Sequence, residues 1–203
     1  MKRVILGTLL AIITLGASAQ NIDKVKDMLK NNELDKAKEG IDNLLANPKQ
    51  QKKADVWITK AKIYGAIAAS DKFKTLVPDG RADAFEAIKK AQEIDKNETT
   101  TLLTLDNYKP VYELYAGYFD LGASQYNAEK YEDALASFKK SNAISAFIFS
   151  NGWGLSKLDT TLAYYSALSA MNAKKEDEAV SLFQQLADAK VGAKPEHVTI
   201  YRY

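Results

Sequence analysis

The 203 residues hold a single histidine, His197, and no cysteine. A zinc site needs several imidazole or thiolate ligands, and a cysteine nucleophile needs a thiol, so both chemistries are excluded. His197 has no triad or metal pattern beside it and reads as a solvated first-turn residue. The chain carries no G-x-x-x-x-G-K-[ST] phosphate loop, nor the strand that should precede one. Glu132-Asp133 and Glu176-Asp177-Glu178 have the residue types of a glycosidase pair. Each group stands where a helix should begin, however, and there negative charge complements the helix dipole. No catalytic, cofactor-binding or metal-ligating residue is expected, and no cofactor.

Aromatic residues are the remaining candidates. Tyr108, Tyr112, Tyr115, Tyr118 and Tyr126 crowd one segment, and Tyr164-Tyr165 stand in a later one. Such side chains serve helix packing and binding surfaces alike. The run Phe147-Ile148-Phe149-Ser150-Asn151-Gly152-Trp153-Gly154 places large apolar groups in what reads as a glycine-punctuated connection, which must fold back onto the protein or form a sticky patch.

The elements that position these groups are helical. Apolar and small residues recur at three- and four-residue steps, and strand-like alternation is nearly absent. Eight helices are expected. The first four carry Ile22/Val25/Met28/Leu29, Leu34/Ala37/Ile41/Leu44/Leu45, Ala54/Trp57/Ala61/Tyr64/Ala68 and Ala84/Ala87/Ile88/Ala91/Ile94. The next four carry Val111/Leu114/Tyr118/Leu121, Tyr131/Ala134/Phe138/Ile144, Leu158/Leu162/Tyr165 and Ala179/Phe183/Leu186. Pro48, Pro78 and Pro110 mark a stop, a breaker and a first-turn position, as a ring-locked residue should. Segments 70–80, 97–109 and 145–157 are expected to be inserted connections.

The second helices of successive pairs repeat a pattern of small residue, x3, bulky residue: Ala37/Ile41, Ala84/Ile88, Ala134/Phe138 and Ala179/Phe183. The small residue lets two helices approach, and the bulky one a turn later fills the space against the next pair. Together with Tyr118-x2-Leu121-Gly122, this resembles the tetratricopeptide repeat family. The resemblance implies an all-α, right-handed α-solenoid of at least four tandem helical hairpins. It departs from the family in period, because the alanines lie 47, 50 and 45 residues apart where about 34 is usual. It also implies a concave groove that faces Phe119, Ala123, Tyr126 and Asn127, then Tyr164, Leu168, Met171 and Asn172. Phe119, Tyr126, Asn127, Tyr164 and Asn172 form the expected peptide-binding set, apolar anchors beside amide groups.

Residues 1–19 have a Lys2-Arg3 start, an apolar run and an Ala17-Ser18-Ala19 close, the organisation of a cleaved secretory signal. As a helix the apolar run would reach only about 20 Å, short of a bilayer core of about 30 Å. Its removal leaves 26 basic against 26 acidic residues, which argues against a nucleic-acid or anionic-membrane partner. Residues 20–203 are then one helical repeat domain in the periplasm, without stable membrane insertion. Lys194-Pro195-Glu196 followed by Val198 and Tyr201 reads either as a truncated next helix or as a short tail.

The expected function is a non-catalytic scaffold or adaptor in a bacterial envelope that binds another protein or a peptide. Two alternatives stand beside it. One is a carbohydrate-binding helical scaffold in glycan uptake that uses Trp57, Trp153 and the tyrosines. The other is the N-terminal arm of a longer enzyme.

Overall fold

A computed structural model describes residues 21–189. The 1–19 segment, His197 and the 194–201 stretch lie outside the described residues.

Among the described residues the chain is all-helical: α1 (Ile22–Lys30), α2 (Leu34–Leu45), α3 (Ala54–Ala69), α4 (Gly80–Ile94), α5 (Lys96–Leu105), α6 (Lys109–Asn127), α7 (Tyr131–Ser150), α8 (Thr160–Asn172) and α9 (Glu176–Asp188). Neighbours pack as pairs, α1 with α2, α3 with α4, α6 with α7 and α8 with α9. Four helices open on a side chain that satisfies a free first-turn amide: Asn21 accepts from Asp23 N, Asp79 from Ala82 N, Asp95 from Glu98 N and Asp159 from Leu162 N.

Three of the pairs turn in the same way. Asn32, Glu129 and Lys174 adopt φ of 58°, 59° and 58°. In each turn the following amide reaches back to close the preceding helix: Glu33 N to Met28 O, Lys130 N to Gln125 O and Lys175 N to Ala170 O, all 2.9 Å. This is a Schellman closure with a non-glycine residue in the left-handed position. Five residues after each lies a repeat alanine, Ala37, Ala134 or Ala179. The turn and the sequence pattern therefore share one register.

All four repeat alanines are fully buried, as are Ile41, Ile88 and Phe138, with Phe183 nearly so. The close approach that a small residue permits is seen between α6 and α7: a Cβ added to Gly122 would lie 2.7 Å from the Phe138 ring. Successive pairs also advance in step. Between α4 and α7, Lys140 meets Asp79 at the start of α4, the Phe85 and Phe147 rings meet edge to face at 5.3 Å, and Gln92 donates to Asn151. Between α6 and α8, Tyr115 donates to Asp159, Phe119 meets Tyr165 and Asn172 donates to Tyr126. Each set of three moves along both helices in the same direction.

Three expectations are corrected. Segment 97–109, expected to be a connection, is mostly α5: Thr99 and Leu103, one turn apart, are both fully buried, while Thr101 and Thr104 satisfy their hydroxyls on carbonyls four residues back. Phe147, Ile148 and Phe149 belong to the last turn of α7, so only 151–159 is a true connection there. It folds back through Trp153, which stacks on Tyr108 at 5.4 Å and meets Phe147 at 5.5 Å. Leu121, expected on the buried face of its helix, is exposed; Phe149 is exposed as well.

Candidate functional site

A cleft with a volume of about 690 Å³ runs between α3 and α6, with the end of α1 at one side. Small residues make the room: Ala61, Gly65, Ala66 and Ala69 along α3 face Pro110, Ala116 and Gly117 along α6. The two helices come close at Gly65, where an added Cβ would rest in ordinary contact 3.6 Å from Leu114 Cδ2. The remaining lining is charged. Lys62 forms an ion pair with Asp106, and Lys109 reaches Glu113 at 3.6 Å. Arg81 and Asp120 also line the cleft, and neither makes an ion pair with a described residue within 4 Å.

Arg81 stands in the first turn of α4 and crosses to α6, where it lies against the bare backbone of Gly117. A Cβ there would sit 2.5 Å from Arg81 Nε. On its far side is a second cleft of about 500 Å³ lined by Asp79, Tyr118, Gln125, Asp133 and Lys140. Asp79 is fully engaged in that cleft. It accepts from Tyr118 Oη at 2.7 Å, from Lys140 Nζ at 2.6 Å and from the Ala82 amide at 3.2 Å. Partial burial pushes its carboxyl up, but the bonds from Lys140, Tyr118 and Ala82 outweigh that and hold it below the ordinary range. The Lys140 ammonium also lies 5.2 Å from the centre of the Tyr118 ring.

The same three residue types meet between α2 and α3. Tyr64 donates to Asp42 at 2.6 Å, Lys38 donates to the other Asp42 oxygen at 2.8 Å, and Lys38 lies 5.9 Å from the Tyr64 ring centre. A tyrosine of the later pair thus ties itself to an aspartate of the earlier pair on either side of α3 and α4. Burial first, and the aspartate bond second, keeps the Tyr64, Tyr115 and Tyr118 phenols protonated well above their ordinary range.

Three of the five residues picked out by sequence fall at the next junction, between α6 and α8. Phe119, Tyr126 and Asn172 come together there around Tyr165: Phe119 and Tyr126 each meet its ring, at 6.1 and 6.2 Å, and Asn172 donates to the Tyr126 hydroxyl at 3.0 Å. Tyr164 meets Tyr165 edge to face at 6.0 Å and packs with Leu168 and Met171 on the α8–α9 core, on the other side of the junction. Asn127 is exposed as the last residue of α6. Tyr165, outside the expected set, is the ring that joins it.

The acidic groups at the helix starts occupy the first turns of α7 and α9. Two of them also join these helices: Lys139 pairs with Glu178 at 2.6 Å and Lys175 with Glu132 at 3.7 Å. Among the described residues no group of histidine, aspartate or glutamate is arranged to hold a metal ion, and no helix is long and apolar enough to cross a membrane.

Comparison of the chain with family models, curated proteins and solved structures returned no match in any of the three.

Proposed function

We propose that this chain is a non-catalytic, exported scaffold whose helical pairs are stacked as a short right-handed α-solenoid of at least four hairpins, in the manner of the tetratricopeptide repeat family. Its inner face binds an extended segment of another protein in the periplasm, where it serves as an adaptor. The solenoid reading is supported by the shared turn at Asn32, Glu129 and Lys174 and by the in-step contacts of α4 with α7 and of α6 with α8. Stacked pairs with such contacts leave an extended concave surface.

The observation that carries the binding reading is the 690 Å³ cleft between α3 and α6. Small side chains open it to backbone approach, while its rim offers charge. That combination suits an extended peptide. The glycan alternative finds less support, because its tryptophans are committed: Trp153 is buried and stacked, and Trp57 donates to Gln51 O beneath the Lys60 ammonium.

The test uses residues 20–203 with a panel of labelled peptides and a panel of oligosaccharides, alongside Ala69→Trp, which fills the mouth of the cleft from an exposed position. Peptide binding that Ala69→Trp abolishes supports the reading. Binding of oligosaccharides alone, or peptide binding indifferent to Ala69→Trp, contradicts it.

A further inference from the structure

We propose that the segment held in the α3–α6 cleft carries an acidic and a basic side chain close together in sequence, the acid against Arg81 and the base against Asp120. The inference rests on the peptide-binding reading and assigns the chemistry of its partner.

The charges of the cleft divide unevenly. Lys62 is held by Asp106, and Lys109 has Glu113. The side chains of Arg81 and Asp120 are left, with no ion pair within 4 Å and no hydrogen bond among the described residues. On the other side of Arg81, Asp79 is already bound by Tyr118, Lys140 and the Ala82 amide. Asp133 lines that second cleft without pairing with Arg81.

Arg81 is the only arginine between Arg3 and Arg202, and the other basic residues among those described are lysines. Its planar fork can take a carboxylate through two parallel hydrogen bonds, which an ammonium cannot. It lies on Gly117, a poor helix former placed in a helix interior, and a Cβ built there would come within 2.5 Å of Arg81 Nε, so a side chain at 117 would push the guanidinium aside. Asp120 follows three residues later, about 4.5 Å further along the axis of α6. The cleft therefore presents one cation and one anion that are not paired with each other, a pattern that attracts a segment of complementary order and repels the reverse.

The experiment presents residues 20–203 to immobilised twelve-residue peptides. In these, a Glu/Lys pair is varied in order and spacing, each charge is replaced in turn by Gln, and the C-terminus is either free or amidated. The best binders are expected to carry the pair and to lose roughly tenfold or more in affinity when Glu becomes Gln. Arg81→Gln should show the same loss, with little further loss when the two changes are combined. Gly117→Ala, which leaves the charge but displaces it, should weaken the same peptides, and Arg81→Asp with Asp120→Arg should prefer the opposite order.

Best binders without the pair, dependence on a free C-terminus in place of the side chain, or equal ranking by wild type and Arg81→Gln would overturn the proposal. If peptides bind irrespective of charge and Ala69→Trp blocks them, the cleft remains a peptide site and only the charge assignment falls. If no peptide of any composition binds, the peptide-binding reading and this inference fall together.

Discussion

The Tyr118 hydroxyl donates to Asp79 across 2.7 Å and so joins the middle of α6 to the residue that caps α4. Asp79 does three things with one carboxylate: it closes the first turn of its own helix, accepts a phenol from the next pair, and pairs with Lys140 on α7. The bond lies in the lining of the second cleft and ties α4 to α6, so the spacing of those two helices depends on it.

Tyr118→Phe should therefore lower stability by about 0.5–1.5 kcal/mol, the usual net worth of one hydrogen bond. Asp79→Ala should cost more, because it also removes a cap worth about 1 kcal/mol. The sign of the pH dependence follows from the lowered carboxyl of Asp79. Its stabilisation is present above the ordinary value of 3.8 and is lost as pH falls through the lower folded value. Urea unfolding of both variants between pH 3 and pH 7 checks the magnitude and the direction.

Alkali should act on the tyrosines. Tyr64, Tyr115 and Tyr118 have folded values raised above the ordinary 10.0, so their contribution is complete below pH 10 and is lost as pH rises from there toward the folded values. The urea midpoint should fall steeply above pH 10. A triple Tyr→Phe variant at these positions should be less stable at neutral pH yet show a shallower fall, with the absorbance of tyrosinate as a second readout.

Two helical glycines should respond oppositely to alanine. At Gly122 the new methyl would meet the buried Phe138 ring at 2.7 Å, an overpacking that costs about 1–3 kcal/mol. At Gly65 it would meet only Leu114 at 3.6 Å, so the gain in helix propensity, about 0.5–1 kcal/mol, should dominate. Denaturant titration of the pair separates glycine needed for packing from glycine that merely leaves the cleft open.

Thr99 is fully buried on α5, and its hydroxyl finds no hydrogen-bond partner. Thr99→Val keeps the shape and removes the unpaired group, so it should raise stability by about 1 kcal/mol. A fall in the thermal midpoint would show that the hydroxyl is satisfied in solution.

What could be read from sequence was what is local. The small and bulky positions one turn apart in each second helix lie on a single face, so the pattern Ala134/Phe138 announced its own burial. Helix α5 escaped because the run Thr99-Thr100-Thr101 has poor helix propensity, and its buried face consists of Thr99 with Leu103, where an apolar stripe would be sought. The aromatic cluster between α6 and α8 is partly legible, since Phe119 and Tyr126 share a face of α6, while Tyr165 falls into the same spacing as Leu158 and Leu162 and so resembles an ordinary packing residue. The cleft itself left no such trace. It is made of absent side chains at Gly65 and Gly117 and of an arginine 36 residues before Gly117, and nothing in local periodicity brings those positions together.

The central claim is that the face shared by α3 and α6 receives another protein. Site-specific photo-cross-linking tests it most directly, with a photoreactive phenylalanine analogue placed at Ala69 in the mouth of the cleft or at Glu86 on the exposed side of α4. A discrete adduct from position 69, absent from position 86 and lost on adding excess of a peptide that binds the cleft, is the expected result. Adducts of equal yield from both positions, or none from position 69, would contradict the account.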